Sequence, residues 1–317
     1  MNADKLCCLW LALICPQLAA ESLVLVSDLN GRYGSTTYDS RVSEAIYTIV
    51  ELQPELVIST GDMVAGQKQP DLDSEGLDLM WAGFNRVVTD PLRQAGIPFT
   101  VAVGNHDGSA FPAFALEREH FEKQWRSRVP ELDILPGSEW PRRYAARMDG
   151  LFLLAFDGTL PGKLPEEERQ FVERMLQSYS HKATATIVFS HLPMWPFTKG
   201  REQDTLDDPE FLSLLHENGV DVYASGHHHA FYAGIDDAGM VHLSVGALGG
   251  NARAFSGGNK RQPFSYAIVN IADGMVSISS RAAPEFRQEV PPANLPETMV
   301  GPLGKLQRYE TPVPLRP

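Results

Sequence analysis

Leu23-Val24-Leu25-Val26-Ser27-Asp28-Leu29-Asn30 is the stretch that decides the fold. Its four consecutive apolar residues have no period of two, so they read as a strand buried on both faces. The strand runs straight into a carboxylate. Four more segments repeat that arrangement. Leu56 to Thr60 leads into Gly61-Asp62, and Phe99 to Val103 into Gly104-Asn105-His106-Asp107. Ala185 to Phe189 leads into Ser190-His191, and Val220 to Ala224 into Ser225-Gly226-His227-His228-His229.

The segments between the first three strands have helical spacing. Val42, Ala45, Ile46, Ile49 and Val50 share one face, and Trp81, Phe84, Val88 and Leu92 share another within Leu77 to Ala95. Strand–helix–strand–helix–strand predicts an α/β fold with a parallel sheet covered by helices. Farther on, Phe152 to Phe156 reads as a strand. Pro165 followed by Glu166, Glu167 and Glu168 starts a helix, with proline in the first turn and acids against the dipole. Asp208-Pro209 starts another, which Gly219 ends. Beyond Ala230, short strands at Val241 to Val245, Tyr266 to Ile271 and Met275 to Ser280 predict antiparallel pairing, with Asp273-Gly274 as a hairpin turn. Residues 284–317 are proline-rich without apolar period and read as an extended tail.

The 317-residue chain is 43% hydrophobic and 21% charged, ordinary for a globular protein, with a formal net charge of −13. That acidity argues against nucleic acid as a partner, and an anionic substrate would need local positive charge, which bound metal ions supply. Residues 1–20 have the layout of a secretory signal peptide: Lys5, an apolar run from Leu6 to Ile14, Pro16, and a cut after Ala20. The run is too short to span a bilayer. Cys7, Cys8 and Cys15, the three cysteines, all fall within residues 1–20, so the mature chain is expected to hold no disulfide, thiolate metal site or cysteine nucleophile. Export without cysteine suits a bacterial periplasm.

Taken singly, an Asp after a strand is usually a cap or turn residue, a His usually a hydrogen-bonded one, and a triple His can be a metal-scavenging tract. Here five matched segments fall in order at strand ends, where α/β sheets gather their ligands. Carboxylate, amide oxygen and imidazole form a ligand set for divalent metals.

Gly61-Asp62, Gly104-Asn105-His106-Asp107, His191 and Gly226-His227-His228-His229 together resemble the calcineurin-like metallophosphoesterases, whose motifs follow the order D-x-H, G-D, G-N-H-[DE], H, G-H-x-H. The resemblance spans Asp28 to His229. It implies two facing mixed β-sheets flanked by helices, a four-layer sandwich, over residues 21–283. It also implies two divalent metal ions (Mn, Fe, Zn or Mg). Asp62 would bridge them, Asp28 and His229 would hold the first, and Asn105, His191 and His227 the second. A hydroxide activated by both metals would attack the phosphorus of a small phosphorylated substrate. His106 would protonate the leaving alkoxide, and Asp107 would orient its ring.

One motif departs from the pattern. The first reads Asp28-Leu29-Asn30, without the histidine, and no tyrosine follows Asp62 as it does in the purple acid phosphatase branch. Asn30 has a carbonyl oxygen that can ligate directly or hold a water that does; alternatively it only shapes the turn before Gly31. An oxygen ligand there favours Mn, Mg or Fe over Zn. His228 is expected to point away from the metals. Asp157, Lys199, Arg201 and Arg253 read either as site residues or as ordinary surface, and Trp195 and Phe197 as pocket wall or core. A fold kept for metal binding without catalysis is the alternative function. A serine hydrolase would need a G-x-S-x-G elbow, which the sequence lacks.

Overall fold

The computed structural model describes residues 21–316, so the expected signal peptide lies outside the described residues. The first part of the chain runs β1 (Glu21–Val26), α1 (Ser40–Leu52), β2 (Leu56–Ser59), α2 (Ser74–Phe84), α3 (Asp90–Gln94), β3 (Phe99–Val101), α4 (Asn105–Gly108) and α5 (Ala115–Arg126). It continues with β4 (Asp133–Ile134), β5 (Tyr144–Met148), β6 (Leu151–Ala155), α6 (Glu166–Tyr179), β7 (Ala185–Phe189), α7 (Pro209–Glu217) and β8 (Val222–Ser225). The rest is all strand: β9 (Tyr232–Ile235), β10 (Val241–Ser244), β11 (Ser265–Ala272), β12 (Met275–Ala282), β13 (Thr298–Gly301), β14 (Gly304–Arg308) and β15 (Val313–Pro314).

These strands form two mixed sheets, ordered β15-β12-β11-β1-β2-β3 and β13-β14-β9-β10-β8-β7-β6-β5-β4. β1, β2 and β3 are parallel, as are β6, β7, β8 and β10. The alternation along β1 shows why its sequence has no polar face. Leu23 and Leu25 enter the core between the sheets, while Val24 and Val26 enter the core under α1 and α2. Both faces are dry, and each such side chain contributes about 1.5–3 kcal/mol on burial. Phe171, Val172 and Leu215 of α6 and α7 cover the outer face of the second sheet. The result is the expected helix–sheet–sheet–helix sandwich. Tyr144 of β5 ties the sheets together, donating from its hydroxyl to the carbonyl of Val101 at 2.8 Å.

Local signals behave as their chemistry requires. Asp208 caps α7 by accepting from the amides of Glu210 and Phe211, each at 3.1 Å. Asp273 and Gly274 take φ of 53° and 71°, the left-handed pair that turns β11 into β12. The helix expected over Leu77 to Ala95 is broken by a π-helical turn at Asn85–Thr89. Pro91, just beyond it, has no N–H to continue the regular ladder.

The extended tail expected over 284–317 is not what forms. β13 and β14 make a hairpin that joins β9 at one edge of the second sheet, and β15 pairs with β12 at the edge of the first. Arg316 then donates its backbone N–H to Asp221 at 2.7 Å. The sequence hides these strands because they are short, flanked by proline, and bury few residues, Met299 and Leu306 among them. No boundary therefore falls at residue 283: the C-terminal strands belong to both sheets.

Glu168 of α6 sits against the end of β6, accepting from Arg143 at 3.1 Å and from the backbone of Asp157 at 3.2 Å. Burial, together with the Asp157 charge, pushes its carboxyl from 4.5 up to about 7. Over that interval the folded state keeps a proton that the unfolded chain releases, so stability falls as pH rises. Urea melts at about pH 5 and about pH 7.5 should show a larger fall for the wild type than for Glu168→Gln. Equal falls would remove Glu168 as the cause.

Candidate metal centre

The chemistry-bearing loops follow the C-terminal ends of β1, β2, β3, β7 and β8, the parallel strands of the two sheets, with β3 at an edge and the others inside. Asp28, Asp62, His227 and His229 take φ of 51°, 55°, 63° and 55°. This left-handed region is unfavourable for residues with a Cβ, and the strain persists because neighbouring backbone fixes it. The amides of Leu29 and Asn30 both donate to the carbonyl of Asp62, at 2.9 and 3.1 Å. The amide of His227 donates to Asp28 Oδ2 at 3.0 Å. Gly104 is required by close approach: a Cβ there would lie 2.0 Å from the backbone nitrogen of Asp62.

Asp62, His191 and His227 bring one donor atom each within 4.8 Å of one another. His191 Nδ1 donates to the carbonyl of Thr60 at 2.9 Å, because a carbonyl can only accept. Its Nε2 therefore faces inward, 3.3 Å from Asp62 Oδ2, 3.0 Å from Asn105 Oδ1 and 3.1 Å from His227 Nδ1. Asn105 is held by Gln67: its side-chain Nδ2 donates to Gln67 Oε1 at 3.4 Å, and Gln67 Nε2 donates to the Asn105 backbone carbonyl at 2.8 Å. Against burial, the charges of Asp62 and Asp28 raise His191 to about 9. Burial and the charge of His191 lower His227 to about 4, which leaves that ring neutral.

The second cluster adjoins it. His229 Nδ1 donates to the carbonyl of Asn251 at 2.8 Å, which turns Nε2 toward Asp28 Oδ1 at 3.0 Å. Asp28 is fully buried, and this oxygen makes no hydrogen bond. Against burial, His229 and His191 draw its carboxyl down to about 2. Asn30 lines the same cavity, while its backbone accepts from Gly250 at 2.6 Å.

These observations fit divalent metal. Two histidines have one ring nitrogen fixed by a backbone carbonyl and the other aimed at a buried carboxylate, the usual outer support of a metal-bound imidazole. His227 differs: its Nδ1 faces His191 Nε2 at 3.1 Å, and its buried Nε2, 3.6 Å from Asp204 Oδ2, makes no hydrogen bond. Oxygen and nitrogen acceptors converge where only a proton or a cation relieves them.

The expectation that Asp107 orients the His106 ring is not met. Asp107 Oδ1 accepts from the amides of Met63 and Val64 at 2.8 and 2.9 Å, and Oδ2 from Gly104 at 2.9 Å. Its carboxylate is consumed in clipping the Asp62 loop to the Asn105 loop. His106 is instead held by the carbonyl of Gly66, 3.1 Å from Nδ1, so that Nε2 lies 3.9 Å from Asp62 Oδ2. Tyr33 covers the ring from the cavity mouth, with centroids 5.1 Å apart.

The remaining residues divide. His228 is buried away from the ligand cluster: Nδ1 accepts from the amide of Phe197 at 3.1 Å, and Nε2 donates to the carbonyl of Asp204 at 3.2 Å. Trp195 and Phe197 are core. Asp157 pairs with Arg118 at 2.7 Å, and Lys199 donates to Asn259 at 2.9 Å outside the cavity. Arg201 and Arg253 line the cavity of about 550 Å³, together with Arg32, Tyr33 and Gln67, which no local sequence signal marks. Asp204 was equally invisible, since an Asp in a loop carries no signal before the loop is placed.

Asp107→Asn should replace one acceptor oxygen by a donor facing backbone N–H groups, costing about 1–3 kcal/mol of stability and weakening metal binding. Thermal melts and chelator competition measure both. Unchanged melting with only turnover lost would restore a direct role on His106.

The chain is 25% identical over 181 residues to purple acid phosphatase 18 of Arabidopsis thaliana, covering 54% of this chain and 40% of that one. It thus spans about two fifths of the length of that curated relative. Among solved structures, the purple acid phosphatase PPD1 of yellow lupin (Lupinus luteus) superposes with a TM-score of 0.66 at 16% identity, covering 86% of this chain and 53% of that one. A dimetal phosphatase from Danio rerio gives 0.56 at 14% identity, covering 85% and 97%. The sequence model described as calcineurin-like phosphoesterase matches residues 22–231, from the first buried strand to just past His229. This chain therefore belongs to the calcineurin-like phosphoesterase family.

Proposed function

We propose that this protein hydrolyses a phosphomonoester or phosphodiester of a small molecule with the help of two divalent metal ions. The observation that carries the reading is the opposition of donors: buried Asp28 and Asp62 face imidazole nitrogens whose partner nitrogens are already fixed. Asp62 would bridge the ions. Asp28, His229 and Asn30 would hold one, and Asn105, His191 and His227 the other. Bound there, divalent ions supply Lewis acidity, which draws charge from the phosphoryl oxygens and makes water a nucleophile near neutral pH. An oxygen ligand from Asn30 would favour Mn, Mg or Fe over Zn in the first position.

The chain's own residues supply the rest. His106 keeps its Nδ1–H on the Gly66 carbonyl, so the second proton of its imidazolium form sits on Nε2, toward the cavity. From there it can pass to the departing alkoxide, the step that limits poor leaving groups. The buried floor of the cavity excludes bulk water, which strengthens each charge interaction inside it. Export to a periplasm belongs to the same proposal and rests on residues 1–20. Among the described residues no helix is long and apolar enough to cross a membrane.

Asp62→Asn should abolish turnover and lower bound metal, read by elemental analysis beside a phosphate-ester panel; wild-type turnover would overturn the assignment. His106→Ala should keep the metal and lose activity by about 10²–10⁴-fold, most for poor leaving groups. Loss of metal instead would make His106 a ligand. Asn30→His should tighten metal binding at the first position in chelator titrations, and an unchanged affinity would reduce Asn30 to a turn residue.

A further inference from the structure

The protein carries a net charge of −13, yet the cavity beside the centre is lined by three arginines, Arg32, Arg201 and Arg253, against one carboxylate, Asp62. Asp62 already faces His191 and His106. Arg201 is steered by Asp204 at 2.7 Å. Among the described residues neither Arg32 nor Arg253 forms an ion pair, and Arg253 Nε is buried without a hydrogen-bond partner. Two neighbouring cations, one of them half-buried and unpaired, are unfavourable until an anion joins them.

The backbone holds these groups in place. The Arg253 amide donates to the carbonyl of His229 at 3.4 Å, and His229 Nδ1 donates to the carbonyl of Asn251 at 2.8 Å, so the arginine loop is bonded to a proposed metal ligand on both sides. The Arg201 loop is laced to the same loop: Lys199 donates to Ala254 at 3.0 Å and Ser256 to Phe197 at 3.0 Å. Arg32 arrives on the β1 loop, which Gly250 fastens at 2.6 Å through the carbonyl of Asn30. Three loops are thus locked into one wall. Planar guanidiniums match carboxylate and phosphate oxygens, and being fixed in advance they lose little freedom on binding.

We propose that Arg253, assisted by Arg201 and Arg32, forms a subsite for a second anionic group of the substrate, a carboxylate or a further phosphate, apart from the phosphoryl group held at the metals. The inference rests on the metal-centre reading of the same cavity. The preferred substrate is then a phosphate ester of an acidic molecule rather than of a neutral alcohol. Discrimination between the two comes from this wall and not from the metals, which see the same phosphoryl group in both.

The test is equilibrium binding, so it does not depend on turnover. Metal-loaded wild-type protein is titrated by calorimetry with propylphosphonate, 3-phosphonopropionate and propane-1,3-bisphosphonate. Wild type should bind the two dianionic-ended ligands about tenfold more tightly than propylphosphonate, one charge-assisted contact's worth. Arg253→Gln should remove most of that preference. Arg32→Gln, at an exposed position where folding is not at risk, should reduce it by a smaller factor. The ratio between the two acidic ligands tells carboxylate from phosphate. Equal loss on all three ligands in both variants, or preference retained in both, overturns the subsite. Failure of any ligand to bind metal-loaded wild type would instead overturn the metal-centre reading itself.

Discussion

Two carboxylates buried beside fixed imidazoles are the constraint on which the rest of this structure depends. Asp28 and Asp62 are almost fully removed from water, and an uncompensated anion there would cost several kcal/mol. The chain answers with histidines, each tied down by its remote nitrogen. The tie is a backbone carbonyl for His191 and His229, so neither ring can turn away without abandoning a buried hydrogen bond. A site of this kind concentrates negative potential before any cation arrives.

Holding it requires backbone precision that side chains cannot supply alone. Gly104 lets the β3 loop touch the Asp62 amide, and Asp107 binds three amides drawn from both loops. Four of the proposed ligands occupy left-handed backbone. That strain sits where both sheets end and where loops hydrogen-bond to one another rather than to solvent. Stability from the two cores is what sustains it: residues such as Leu23, Leu25, Val24 and Val26 anchor β1 on both faces and leave its final carboxylate no freedom of position.

The same lacing explains why the cavity wall can be cationic in an acidic protein. Arg32, Arg201 and Arg253 come from loops that are far apart in sequence but joined through Gly250, Lys199 and Ser256. Dispersed on an acidic surface these side chains would be ordinary. Gathered on one cavity wall they concentrate positive potential beside the buried carboxylates.

The sequence by itself determined the layers and which carboxylate, amide and imidazole groups gather at one end of the sheets. Uninterrupted apolar strands and helical spacing are local patterns, and a carboxylate, an amide or an imidazole placed right after such a strand must emerge at the same end of the sheet. Residues 284–317 escaped that reading because their strands are short and mostly polar, so pairing partners, not periodicity, make them strands. The role of Asp107 escaped it too, since the family resemblance implied a contact with His106 that the helical turn of α4 does not make. Gln67, Asp204, Tyr33 and the arginine wall were decided only by tertiary structure. Their function lies in which distant loop they face, and no local propensity encodes a contact between residues that meet only after both sheets have closed.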